Sequence, residues 1–535
     1  MELSMAYPLL RAKPFSSFLI VVSLIASFGQ LKSWPDALPQ ELLTLDIAEK
    51  IFPDSNATTL ASTDFGNLTQ ARPAAVLYPS SSHDIAALVR FSYSSSRPFP
   101  ISPRGHGHSI WGQAFAPEGI VVEMAALGHG GAGRINVTPA YVDAGGEQLW
   151  IDVLHATLEH GLAPRSWTDY LYLTVGGTLS NAGISGQVFR HGPQIANVYE
   201  LDVITGKGEA MTCSKNSNSD LFHAVLGGLG QFGIITRARI ALQPAPKMAR
   251  WVRLMYTDVG LFTRDQERVI SRDPDKLFAL NYLEGSLLVD NSLIGSWRSS
   301  SFFSRADIDR ISGLAARSGI RALYCLEGAV YYNEATKADM DQGLRLLLEE
   351  LNFVPGFAFM QDISYLHFLD RVHDGELKLR SAGMWDVPHP WLNIFLPKSR
   401  ILDFDLGVFK GILKNNKAMG PVLIYPMNKT KWDDEMSAVI PDEEVFYTVG
   451  LLRSALEGDL DYLESQNNEI LRFCDQEGIV VKQYLPHYTT RGDWMKHFGP
   501  KWNKFLKMKM KYDPKALLSP GQKIFTFLEK NRLYG

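Results

Sequence analysis

Arg104-Gly105-His106-Gly107-His108-Ser109 places two histidines between glycines, behind an arginine, directly after the short apolar run from Phe99 to Ser102. Glycine takes positive φ easily and lets backbone N–H groups crowd a ligand, so this stretch reads as an anion-holding loop, with Arg104 favouring phosphate. A glycine-rich turn is one alternative, and a metal half-site another, although a metal needs three or four converging ligands and His129 is the only other histidine close in sequence. A second stretch sets Gly176, Gly177, Gly183 and Gly186 among Thr174, Thr178, Ser180 and Ser185. Small hydroxyl donors on a flexible backbone suit a pyrophosphate, or simply a connector. Between the two stretches Asp169 is a lone acid among Trp167, Thr168, Tyr170, Leu171 and Tyr172. Burial would raise the pKa of such a carboxyl and make it a proton acceptor, while a turn-capping Asp fits the same residues.

The flanking pattern is mixed. Ala74 to Tyr78, Ile120 to Met124 and Tyr141 to Ala144 read as strands, and Ser82 to Phe91 as an amphipathic helix with Ser82 as cap. A helix is expected from about Gln148 to His160, and a hairpin from Glu200 to Cys213 turned at Thr205-Gly206-Lys207-Gly208. Strand pairs rather than a strict βαβ series point to an α+β lobe, and no G-x-G-x-x-G follows a first strand, which argues against a nicotinamide cofactor. Pro244-Ala245-Pro246 marks a break, after which strands such as Phe278 to Val289 and helices such as Thr336 to Leu351 carry a different texture.

The 535 residues exceed one ordinary core and suggest two lobes. With 53 basic against 57 acidic residues, no polyanionic partner such as nucleic acid is indicated.

The first loop, continued through Ile110-Trp111-Gly112-Gln113, resembles the Arg-Gly-x-Gly-His-Ser loop of plant cytokinin dehydrogenases, members of the vanillyl-alcohol-oxidase-like flavoproteins. The resemblance runs from Ala71 to Phe525 and takes in Ser166-Trp167-Thr168-Asp169-Tyr170-Leu171, the stretch from Gly176 to Gly183, His389-Pro390-Trp391-Leu392-Asn393 and Leu518-Ser519-Pro520-Gly521-Gln522. It implies an α+β, two-lobed fold with a PCMH-type FAD-binding domain over 70–246, a substrate-binding domain over 247–483, and a segment, 484–535, that returns to the first domain.

The resemblance also implies FAD linked covalently through His108, with His106 at a variable position, and one covalent bond only, because the second stretch lacks the Cys of doubly linked relatives. The implied cofactor contacts are Arg104, Gly105, His106, Gly107, Ser109, Gln113, Asp169, Thr174, Ser180, Ile184, Ile234, Ile235, Tyr484, Ser519 and Gln522. The implied reaction is oxidation of the N6 side chain of a cytokinin, giving adenine or adenosine and an unsaturated aldehyde, with a quinone-type acceptor or oxygen taking the electrons. Asp169 then handles the amine proton, Glu284 orients the purine, and Trp391, Asn393, Leu451 and Leu485 form an apolar slot. Two rivals are an oxidase of sugars or alcohols on the same scaffold and a hormone-binding protein that keeps flavin for structure.

Arg11 and Lys13 precede an apolar run, Phe15 to Phe28, with the length of a signal-peptide core, so residues 1–32 read as a signal peptide or a signal anchor and no stable membrane span is expected. The expected destination is the secretory route, ending outside the cell in the apoplast, with the ER or vacuole as alternatives, and the expected state is a monomer. Asn56, Asn67, Asn136 and Asn428 open glycosylation sequons. Cys213, Cys325 and Cys474 permit at most one disulfide.

Overall fold

Short β-branched runs and one amphipathic helix build the scaffold of the histidine loop. The computed structural model describes residues 34–130, 134–272, 279–288, 296–318, 322–415 and 420–525, so the expected leader lies outside them, as do both ends of the expected strand from Phe278 to Val289. Strands β1 (Ile51–Phe52), β2 (Ala75–Leu77), β3 (Ile101–Arg104) and β4 (Ile120–Glu123) form a sheet in the order β1-β2-β4-β3. β2 and β3 run parallel to β4 and are connected through the helix Ser82–Ser94, so this sheet contains a local parallel crossover. Ser81, not Ser82, caps that helix: its hydroxyl accepts from the Asp84 N–H, and the Asp84 carboxylate accepts in return from the Ser81 N–H. Ile85, Leu88 and Val89, spaced along one helix face, are buried with Ile101, Ile120 and Val122. The result is a rigid strand end from which the loop 105–109 departs.

The second sheet holds β5 (Ile135–Val137), β6 (Tyr141–Gly145), β7 (Leu162–Pro164), β8 (Val198–Thr205), β9 (Ala210–Ser214) and β10 (Gly233–Pro244). It is antiparallel in the order β5-β6-β10-β8-β9, with β7 on the far end of β10. Just past the proline break a third sheet begins. Its strands are β11 (Met248–Tyr256), β12 (Tyr282–Leu288), β13 (Leu323–Tyr332), β14 (Ala358–Ser364), β15 (Leu392–Pro397), β16 (Val422–Asn428), β17 (Val445–Leu451) and β18 (Lys482–Tyr484), all antiparallel, in the order β14-β11-β13-β12-β16-β17-β15-β18.

Side chains alternate across this third sheet. Trp251, Tyr282, Phe395 and Tyr425 face the first lobe and share a core with Trp150, Trp167 and Leu179. Their neighbours Val252, Leu283, Ile394 and Ile424 face a separate core on the other side of the sheet. After β18 the chain crosses back. Helices Arg491–Phe498 and Trp502–Tyr512 bury Trp494 and Phe505 against Phe222 and Phe232, and the backbone of Leu517 and Ser519 then pairs with Ile101 at 2.8 and 3.0 Å. All three cysteines are buried and free, so the single permitted disulfide does not form. No helix among the described residues is long and apolar enough to cross a membrane.

The returning segment is held by one buried ion pair. Lys509 Nζ donates to Asp513 Oδ2 at 2.8 Å and to both Gln231 oxygens at 3.0 Å, while Asp513 accepts from the N–H groups of Leu517 and Leu518 at 2.9 Å. Asp513→Ala strips the partner from a buried ammonium and is expected to cost about 3 kcal/mol in urea unfolding. The double variant K509M/D513L, with no charge left to bury, is expected to recover part of that loss.

Candidate active site

A cavity of about 370 Å³ opens where the two lobes and the returning segment meet. The loop after β3 gives Gly105, His106, Gly107, His108, Ser109 and Gln113 to its wall, and the glycine-rich stretch gives Thr174, Ser180 and Ile184. Ile234 and Ile235 of β10, with Ser519 and Gln522 of the tail, close the same end. At the other end stand Asp169, Trp391, Asn393, Tyr484 and Leu485.

The glycine-lined end is a cradle. A Cβ on Gly105 would collide with the Thr174 side chain, and one on Gly230 with the Ser519 hydroxyl, so only bare backbone lets these strands approach. Ser519 itself sits at φ +50°, a left-handed conformation fixed by its hydroxyl donating to Gly230 O at 3.1 Å and by Gln231 Nε2 donating to Ser519 O at 3.2 Å. On the wall, Gln522 Oε1 and Trp391 Nε1 are buried with no hydrogen-bond partner among the described residues. Such atoms cost stability unless a ligand satisfies them. Exposed backbone, hydroxyls and an orphaned amide oxygen fit the diphosphate and rings of a dinucleotide.

His108 faces this cavity within an aromatic stack. Its ring lies 4.0 Å from Phe65, 13° from parallel, and the opposite neighbour of Phe65 is His389 at 4.1 Å and 10°. Burial pushes the His108 imidazole down to about 3, so it is neutral at physiological pH and keeps a nitrogen lone pair for bonding. A knot beside it fixes the loop: Asp64 Oδ2 accepts from Ser109 Oγ at 2.8 Å and from Gly112 N at 2.7 Å, while Phe65 N and Gly66 N donate to Gly107 O and Ser109 O.

Asp169 follows β7 and reaches the cavity with about a quarter of its side chain exposed. Its Oδ1 accepts from Ser185 Oγ at 2.5 Å. Behind it lies a buried charge cluster of Arg253, Arg298, Arg371, Glu284 and Glu327. Burial, with the Asp169 charge second, pushes Glu284 up to about 8 against the pull of Arg298 and Arg371. Burial also opposes ionisation of Glu327, but the three guanidiniums outweigh it and hold that carboxyl at about 2.

Three expected contacts are absent from the wall. Arg104 turns away to pair with Glu123 at 3.1 Å, because the next strand places that carboxylate opposite it; its charge is spent behind the loop rather than on a ligand. Glu284 is fully buried and hydrogen-bonded by Arg298, which lines the cavity where Glu284 does not, and its Oε1 has no hydrogen-bond partner among the described residues. Leu451 points into the outer core beside Val449, since alternation in β17 gives the cavity Gly450 and Leu452 instead. Residues that sequence reading missed include Asp64 and Phe65, in a stretch without local signal, and Arg371. A signal existed for Arg371: it is an arginine on the buried stripe of helix Tyr365–Ser381, alongside Tyr365 and Phe368.

Comparison with known proteins agrees with this geometry. Residues 246–525 match a family model described as "Cytokinin dehydrogenase 1, FAD and cytokinin binding", and residues 73–214 match an FAD binding domain. A similar protein, cytokinin dehydrogenase 6 of Oryza sativa subsp. japonica, is 57% identical over 498 residues, covering 92% of this chain and 94% of the relative. Among solved structures, chitooligosaccharide oxidase superposes with a TM-score of 0.64 at 14% identity, covering 88% of this chain and 96% of that one. A VAO-type flavoprotein from Myceliophthora thermophila gives 0.60 at 14%, over 86% and 82%; both show the shared two-lobed α+β fold.

The knot at Asp64 makes a measurable difference. Asp64→Ala leaves the Ser109 hydroxyl and the Gly112 N–H buried without an acceptor and is expected to lower unfolding stability by about 2 kcal/mol. Asp64→Asn, which keeps one acceptor oxygen, is expected to lose less.

Proposed function

The chain belongs to the cytokinin dehydrogenase family, and from that membership we propose how its residues carry the reaction. The protein is an FAD-dependent oxidoreductase that degrades cytokinins. The glycine cradle with Thr174, Ser180, Ser519 and Gln522 holds the cofactor, and His108 holds it covalently; a neutral, stacked imidazole pointing into the cavity supports that reading. When bound, FAD supplies acceptance of a hydride from the carbon attached to the exocyclic amine of the substrate.

The protein handles the rest. Trp391, Leu452 and Leu485 give a flat, largely apolar slot for a planar purine and its short hydrophobic tail, and they exclude water from the reacting bond. Asp169 stands at the junction of slot and cradle, the single placement that carries this reading. Ser185 engages Oδ1, which leaves Oδ2 to take the amine N–H, orient it and receive its proton as the C–N bond gains double-bond character. Hydrolysis of the resulting imine releases adenine or adenosine and an unsaturated aldehyde, and a quinone-type acceptor or oxygen reoxidises the enzyme.

We propose that the protein acts as a monomer after entering the secretory route through the leader at 1–32 and working in the apoplast, with ER and vacuole as alternative sites. Asn56, Asn67 and Asn136 are exposed. Asn428 is different: its Nδ2 donates to Phe189 O at 3.0 Å and Ile270 O at 3.3 Å, two contacts that a glycan on that nitrogen would disrupt in the folded chain.

Anaerobic mixing of purified holoprotein with isopentenyladenine is expected to bleach the flavin's blue absorbance rapidly, and Asp169→Asn to slow bleaching by about 100-fold or more. Bleaching at an unchanged rate in the variant would remove Asp169 from the mechanism. Peptide mass spectrometry of secreted protein is expected to find glycans on Asn56, Asn67 or Asn136 and none on Asn428.

A further inference from the structure

The buried cluster behind Asp169 holds three arginines, Arg253, Arg298 and Arg371, against two glutamates, Glu284 and Glu327. Both glutamates already have guanidinium partners, although Glu284 Oε1 has no hydrogen-bond partner among the described residues. Glu327 accepts from Arg253 at 2.9 Å and Arg298 at 3.2 Å, and Glu284 is hydrogen-bonded by Arg298. Because Glu284 is pushed up to about 8 and is mostly protonated at neutral pH, at least one positive charge is left over. The guanidinium with the weakest claim on the glutamates is Arg371, at 3.6 Å from Glu327 and 4.0 Å from Glu284, and its Nη2 lies 3.8 Å from Asp169 Oδ1.

Arg371 cannot swing away to seek another partner. Nη1 donates to Phe368 O at 2.9 Å, Nη2 donates to the Tyr282 hydroxyl, and the guanidinium carbon sits 4.7 Å from the centre of the Phe368 ring and 4.8 Å from that of Tyr282. Its side chain is 6% exposed, so water does not screen the field it sends toward the cavity. The charged and titratable groups facing Asp169 are Arg371 from helix Tyr365–Ser381, Tyr282 and Glu284 from β12, Arg298, Tyr425 from β16 and Tyr484 from β18.

We propose that Arg371 is a positioning residue for the oxidation, a fixed cation that holds Asp169 as an ionised carboxylate between itself and the substrate amine. Asp169 is the third carboxylate of the cluster and offsets part of its surplus positive charge. When the amine proton reaches Asp169, the surplus charge is uncovered, so the proton is held only transiently and the base is ready for the next turnover. The inference rests on Asp169 being the proton-handling group, which the Asp169→Asn experiment tests by itself.

The test is the pH profile of kcat/KM for isopentenyladenine with the flavin-loaded enzyme. An opposite charge at this distance favours the ionised form. Removing it in Arg371→Met is expected to move the acid limb up by about one pH unit or more, and Arg371→Lys, which keeps the charge, to return it toward wild type. A lower rate with an unmoved acid limb in Arg371→Met would make the role merely structural and overturn the inference. Should Arg371→Met fail to fold, Glu327→Gln decides: it enlarges the surplus charge, so a limb displaced to lower pH supports the inference and an unmoved one overturns it. If Asp169→Asn abolishes turnover while both limbs stay put, the assignment of Asp169 stands and only that of Arg371 falls.

Discussion

Trp251, Tyr282, Phe395 and Tyr425 from the inner face of the eight-stranded sheet share one apolar cluster with Trp150 and Trp167 of the first lobe and with Trp494 and Phe505 of the returning tail. Aromatic side chains of this size each bury on the order of 150–250 Å², and separating the lobes would expose them together. The lobes therefore behave as one body with a seam, and the seam is where close packing gives way to a cavity. Its polar end faces the glycine loops and its flat, apolar end the sheet, because those are the surfaces each lobe brings to the join.

A dry join makes charge expensive, and the charge buried at this join is gathered into one network. Arg253, Arg298, Arg371, Glu284 and Glu327 sit behind Asp169, screened from solvent by the same aromatic rings that close the seam. A lone cation there would be intolerable; a network with aromatic faces and shared carboxylates is not. The Asp169 carboxylate is thus coupled to a field built almost entirely by the other lobe. On the same cavity wall the Phe65 ring, between His108 and His389, links the lobes in a comparable way through stacking rather than charge.

Much of this was legible along the chain. The glycine-histidine loop, the Thr/Ser/Gly stretch and the Ser519–Gln522 turn advertise their role because backbone approach demands glycine and small hydroxyls whatever the surroundings. The break at Pro244-Ala245-Pro246 also falls between the second and third sheets. Arg104, read from residue type, and Glu284, implied by resemblance, each meet an opposite charge, Glu123 and Arg298 respectively. The Leu451 reading failed by one position, and in a strand one position is the opposite face.

By itself, then, the sequence determined the α+β lobes, the glycine-rich stretches that meet at one cavity, Asp169 as an acid in an aromatic setting, and the family, since these depend on local backbone needs and on long runs of matching residues. Tertiary structure alone decided which face of β17 lines the slot, that Asp64 ties down the histidine loop, and that Arg371 backs Asp169. Asp64 and Ser109 are 45 positions apart within the first lobe and Asp169 and Arg371 are 202 apart across the two lobes, and no local pattern encodes a distance that long-range packing sets.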